Sequence, residues 1–110
     1  MPESFDRGAL TEAVYYILLA LLQPLHGYGV MQRVSEMSAG RVNLGAGTLY
    51  GALGTLQEKG WITAVGNDSG RKKEYVTSPL GRQMLQAEVA RLGELLQNGQ
   101  ALLGGNTDVH

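Results

Sequence analysis

Apolar residues recur along the chain at two different periods, and the switches between them mark out its elements. The longest apolar run covers residues 13–22. Within it Val14, Ile17, Leu18 and Leu21 share one helical stripe, so a first helix is predicted over 11–23. Thr11 suits its N-cap, and Pro24 stops it. Tyr15, Leu19 and Leu22 lie off that stripe and are apolar too. A helix that is apolar on more than one side needs cover on more than one side. In so small a domain the second cover is expected from another subunit.

The segment His26-Gly27-Tyr28-Gly29 breaks the pattern, and a second helix is predicted from there to about Ser38. Val30, Met31, Val34 and Met37 point inward on it, while Gln32, Arg33 and Glu36 face out. Ala39 and Gly40 end it, and residues 41–44 read as a short β-like segment. A third helix is predicted over 46–59, closed by Gly60 in the C′ position that favours glycine. Leu49, Leu53 and Leu56 make its buried stripe. Gly47, Gly51, Gly54 and Glu58 fall on the opposite side, flanked by Thr48 and Thr55.

The period then becomes two. Residues 61–65 read as a strand, 66–70 as a turn and 71–77 as a returning strand, giving a hairpin with a polar, basic tip. Ser78 is the expected N-cap of a last helix reaching about Leu103, with Pro79 at its tolerated first position. Leu85, Val89, Leu92, Leu96 and Leu103 recur there in steps close to a heptad, with Gly99 in one expected place. A second row, Leu80, Met84, Ala87, Leu95 and Leu102, widens the face. Either this helix lies on its own domain or it meets a second copy. The apolar surplus of the first helix favours the copy, with Tyr15, Leu19, Leu85, Val89, Leu92 and Leu96 at the homodimer interface. The division expected is a flexible arm (1–10), a winged-helix domain (11–78), a dimerisation helix (79–103) and a flexible tail (104–110).

Composition narrows the chemistry. The chain has 110 residues, 44% of them hydrophobic, and a formal net charge of −1, which suits one soluble globular domain. With no cysteine, disulfides, thiolate zinc sites and cysteine nucleophiles are excluded. His26 and His110 are the only imidazoles, so no metal centre and no cofactor are expected. His26 is read as a structural hydrogen-bonding residue rather than a ligand. No paired carboxylates, Ser/His/Asp set or P-loop stands at useful spacing, so an enzyme is not expected. The apolar run is too short to cross a bilayer and lacks a basic leader and a small-residue cleavage site, so no signal peptide is expected; a cytoplasmic protein without membrane attachment is the expectation.

Charge is unevenly spread. From Arg33 to Arg82 seven bases face four acids, a local net charge of +3. Helix three followed directly by a hairpin is the layout of a winged helix-turn-helix, mainly α with a small β-hairpin. Three glycines inside one helix cost on the order of 1 kcal/mol each relative to alanine. Such a penalty is tolerable where a bulky side chain would block close approach to DNA, with Gly51 at the contact and Thr48 and Thr55 offering hydroxyls to base edges and methyls to thymine. The same glycines would equally allow a neighbouring helix to pack. Arg71, Lys72 and Lys73 at the hairpin tip either neutralise phosphates or form a solvated turn. A winged-helix module that docks protein through the bare helix face is the alternative to DNA binding.

Residues 48–62, T-L-Y-G-A-L-G-T-L-Q-E-K-G-W-I, resemble the signature of the PadR family, commonly T-L-Y-x-x-L-x-x-L-E-x-x-G-hydrophobic-I. The H-G-Y at 26–28 and R-K-K-E-Y-V-T-S-P-L-G at 71–81 are similar to two further family motifs, in the same order. The resemblance implies a dimeric winged-helix regulator of double-stranded DNA, usually a repressor, with two recognition helices about one turn apart on a palindromic operator. Some members respond to phenolic acids or bind flat aromatic compounds at the dimer interface, so a small planar aromatic ligand is also implied. By motif position Thr48 and Tyr50 belong to the recognition helix, and Arg71, Lys72 and Lys73 to the wing. Tyr28, in H-G-Y, either touches the DNA backbone or packs. The chain departs from the pattern at Gly51, where many relatives have proline, and at Gly54 and Thr55, where many have bases. Gln57 and Ser78 replace a common glutamate and a common threonine. The missing bases shift the expected phosphate contacts towards the wing.

Overall fold

A computed structural model describes residues 9–66 and 73–104. The elements run α1 (Glu12–Ala20), β1 (Leu25–His26), α2 (Gly27–Met37), α3 (Ala46–Glu58), β2 (Ile62–Val65), β3 (Glu74–Thr77) and α4 (Pro79–Gly99), followed by a π-type turn, Gln100–Gly104. Residues 1–8 of the expected arm (1–10), residues 67–72 of the wing with Arg71 and Lys72, and the tail from 105 lie outside the described residues. Mainly helical with a small antiparallel sheet, the chain is a winged helix-turn-helix with a long last helix.

Ile17, Leu18 and Leu21 of the α1 region are fully buried, as are Val30 and Val34 of α2, and Leu49, Leu53 and Leu56 of α3 are buried against them. These are the stripes that the spacing predicts. Tyr15, Leu19 and Leu22, off the α1 stripe, are half-buried. Thr11 caps α1, its Oγ1 accepting the Val14 N–H at 3.1 Å.

Two boundaries differ from the prediction for a clear reason. Helix α1 ends at Ala20 rather than Gln23 because carbonyls near its end are taken by another segment. Thr77 Oγ1 donates to Leu18 O at 2.9 Å, and the Thr77 N–H donates to Leu21 O at 2.7 Å. Helix α2 starts directly at Gly27 rather than after a break, because the His26 side chain caps it; Nδ1 accepts the Gly29 N–H at 3.3 Å. His26 is thus a structural hydrogen-bonding residue.

The third strand also lies elsewhere than expected. Residues 41–44 are not a strand, since their polar groups turn back locally: the Val42 N–H donates to Ser38 Oγ at 2.9 Å, and Asn43 Nδ2 donates to Gly40 O at 2.9 Å. Such local bonds compete with a ladder. The strand is instead β1, and the sheet order is β1-β3-β2. Leu25 pairs with Tyr75 and His26 with Glu74, while Ile62 to Val65 pair antiparallel with Thr77 back to Glu74.

The join between β3 and α4 is closely built. Ser78 caps α4 by accepting the Gly81 N–H at 3.0 Å, and its hydroxyl donates to Gly60 O at 2.6 Å. Its own N–H donates to Trp61 O at 2.9 Å. Gly60, the C′ residue of α3, has φ +79°, a conformation that favours glycine. A side chain at Gly81 would meet the Trp61 carbonyl oxygen at 2.2 Å. Helix α4 therefore leaves from a fixed point beside the end of α3.

Beyond that point α4 projects. The radius of gyration is 16.6 Å, above the roughly 13 Å of a compact 100-residue domain. Val89, Leu92, Leu95 and Leu96 are exposed along it, Leu96 by 60%. Leu85 departs from the expected interface set, being buried in the core of its own chain. Among the described residues no helix is long and apolar enough to cross a membrane.

Candidate nucleic-acid interface

The outer side of α3 is uncovered. Among the described residues a Cβ built at Gly47, Gly51 or Gly54 would meet nothing within 4 Å, so these glycines do not serve packing against the chain's other described helices. Thr48, Gly51 and Thr55 are exposed beside them. The Thr55 hydroxyl donates to Gly51 O at 3.2 Å, a back-bond common for threonine inside helices.

Tyr50 and Tyr28 flank this face. Tyr50 is 51% exposed and Tyr28 60%, so Tyr28 stands out from the fold rather than packing into it. Tyr50 lies over the start of α2: a Cβ at Gly27 would meet the Tyr50 Oη at 2.2 Å. The absent side chain at Gly27 makes room for that ring. The periodicity gives no sign of this pairing, although both residues stand in the quoted motifs.

Lys73 is exposed where β3 begins, and the pairing of Glu74 with His26 sets that end of the wing beside the start of α2. Arg71 and Lys72 lie outside the described residues. Lys59, at the far end of α3, sits 5.3 Å from the Trp61 ring centre, within reach of a cation–π contact. Arg41, one of the central bases, is paired with Glu12. Among the described residues α3 itself carries no basic side chain.

Leu19, Leu22, Leu85 and Val89 with Arg82 and Gln86 line an open pocket of about 280 Å³ beside α1 and α4. Nearby, Glu88 is only 4% exposed. Arg91 Nε donates to it at 2.9 Å. These bonds hold the Glu88 carboxyl below the usual carboxylate range; burial opposes them, and the Leu10 N–H adds to the lowering. The i, i+3 spacing of Glu88 and Arg91 is visible in the sequence, but the burial that gives the pair weight is not. Among the described residues no group of His, Asp or Glu could hold a metal ion.

The transcriptional regulator PadR-like family model matches residues 17–87. The chain belongs to the PadR-like family. Its members are transcriptional regulators, not enzymes. The fold is similar to that of a PadR-family transcriptional regulator from Eggerthella lenta, with a TM-score of 0.69 at 24% identity over 94% of this chain and 88% of that one. Bacillus subtilis PadR in complex with operator DNA is similar at a TM-score of 0.59 and 26% identity, over 70% of this chain and 45% of that one. A 37.1 kDa protein in transposon TN4556 of Streptomyces fradiae is 34% identical over 85 residues, 76% of this chain. The PadR-like chain spans about a quarter of that relative's length, 24%.

Proposed function

We propose that this PadR-like chain is a cytoplasmic, homodimeric repressor that binds a palindromic operator. The observation that carries the reading is the open side of α3, where Gly47, Gly51 and Gly54 face no other part of the chain among the described residues. In this reading Thr48, Tyr50, Gly51 and Thr55 enter the major groove. Arg71, Lys72 and Lys73 neutralise flanking phosphates, and Tyr28 touches the backbone beside them. The likeness to the B. subtilis PadR that is complexed with operator DNA supports it.

Residues 79–103 act as the dimerisation helix, joined by Tyr15 and Leu19 of α1. The exposed Val89, Leu92 and Leu96 support this, since a row of large apolar side chains is uncommon on a monomer surface. Leu85 stiffens the helix from within the core. The pocket between α1 and α4 suits a planar aromatic effector, with Arg82 as the group that would hold an anionic substituent.

Selection of bound duplexes from a random pool, followed by titration at rising salt, tests the proposal. The expected result is a palindrome with half-sites about one helical turn apart and affinity that falls steeply with salt. Recovery of no enriched duplex would overturn it.

A further inference from the structure

We infer that the α3 face reads its operator through the methyl groups of thymine, with Thr48 as the discriminating residue and Thr55 as a second contact. This rests on the DNA-binding reading above and adds the base chemistry to it.

The inference starts from the side chains that α3 can offer. Guanine is read by two hydrogen bonds from Arg or Lys, and adenine by two from Asn or Gln. Of these four, α3 holds only Gln57, exposed in its last turn and half a turn around the axis from Thr48. The other exposed side chains of α3 are Ala46, Thr48, Tyr50, Thr55 and Glu58; the leucines are buried and Ala52 is half-buried. The Tyr50 ring lies over Gly27 at the edge of this face and offers no methyl. The Thr55 hydroxyl hydrogen is committed to Gly51 O, which leaves that side chain its methyl and its oxygen lone pairs. On the side of α3 that carries Thr48 and Thr55 no Arg, Lys, Asn or Gln stands, and Ala and Thr methyls are the natural contacts of the thymine 5-methyl.

Position singles out Thr48. It lies in the first turn of α3, the part of a recognition helix that meets base edges. Thr55 stands seven residues on, on the same side and about 10 Å further along the axis, so the two address different base pairs. Gly51 and Gly54 lie between them with no atom near a Cβ position, which leaves the approach clear. The operator half-site is then expected to carry thymines facing Thr48 and Thr55.

The experiment uses the full chain and the tightest duplex recovered from a random pool, synthesised once with thymine and once with deoxyuridine throughout both half-sites. Deoxyuridine removes only the methyl. Each contacted methyl is expected to change affinity by about fourfold, the equivalent of one buried methylene. Thr48→Ser should weaken binding to the thymine duplex by about the same factor and leave binding to the deoxyuridine duplex as in the parent. Equal parental affinities for the two duplexes, with salt-sensitive binding intact, would overturn the inference and leave the DNA-binding reading standing. An unchanged thymine preference in Thr48→Ser would remove Thr48 from the role. A pool that yields no salt-sensitive binder would overturn both.

Discussion

The Tyr50 ring occupies the space where a side chain at Gly27 would stand, with the phenol oxygen 2.2 Å from that Cβ position. The contact ties the third helix to the start of the second through the free end of a flexible side chain. Gly27→Ala should therefore displace the ring at a stability cost of under about 1 kcal/mol, while lowering affinity for operator DNA. In a Tyr50→Ala background the same change should be neutral or stabilising. Gly81→Ala provides the contrast, because there the obstacle is the Trp61 backbone carbonyl; a loss of about 3 kcal/mol is expected from such overpacking. Thermal unfolding and DNA titration of the four variants distinguish the two kinds of glycine.

Stability and function should part company on α3. Replacing Gly51 or Gly54 by alanine meets no neighbour and should stabilise the helix by about 1 kcal/mol each. If the open face lies against DNA, the same variants should bind operator more weakly. Denaturant unfolding beside a gel shift would reveal opposite signs. Tighter binding by the alanine variants would remove these glycines from the interface.

The wing should contribute affinity without sequence preference. Replacing Arg71, Lys72 and Lys73 by alanine is expected to weaken binding to specific and unrelated duplexes alike. It should also flatten the dependence of log affinity on log salt by about one for each phosphate that is no longer neutralised. Parental binding by the triple variant would disprove the assignment.

Charge on the seam should separate the copies. Leu96→Glu changes a side chain that is 60% exposed, so the fold should survive, with the far-ultraviolet spectrum unchanged. Light scattering is expected to show the mass falling to that of one chain, and operator affinity should fall with it. A monomeric parent would rule out the dimer.

The Glu88–Arg91 pair gives the protein a defined weakness in acid. The folded carboxyl is held below its ordinary value, first by Arg91. Its contribution is therefore complete above the unfolded carboxylate value, about 4.3, and is lost as pH falls through the lower folded value. Glu88→Gln should cost about 1.5–3 kcal/mol at neutral pH, in the range for a hydrogen bond to a charged group. It should also reduce the parent's additional loss of stability on acidification. Unfolding free energies at pH 7 and pH 3 test both statements.

The burial of Ile17, Leu18, Leu49, Leu53 and Leu56 could be read from helical spacing, and the hairpin from the change of period at Trp61. These features are local, so pattern suffices to find them. The placement of β1 could not be found in this way. Leu25 and His26 are a two-residue strand only because Tyr75 and Glu74 lie opposite, about fifty positions away. The early end of α1 likewise depends on Thr77, and the burial of Leu85 on how α4 lies across α1. At the site, the open glycine face was legible because an apolar stripe on one side implies exposure on the other. The Tyr50–Gly27 contact was not, since it joins two elements whose relative angle no periodicity encodes.

The cluster of bonds around Thr77, Ser78 and Gly81 has a mechanical consequence. With Thr77 held by the end of α1, Ser78 by the end of α3, and Gly81 too close to Trp61 for even one added carbon, the root of the last helix has no room to swivel. In the proposed dimer, a molecule that alters the separation of the two α3 faces is then expected to act further out, along the exposed leucines of the last helix.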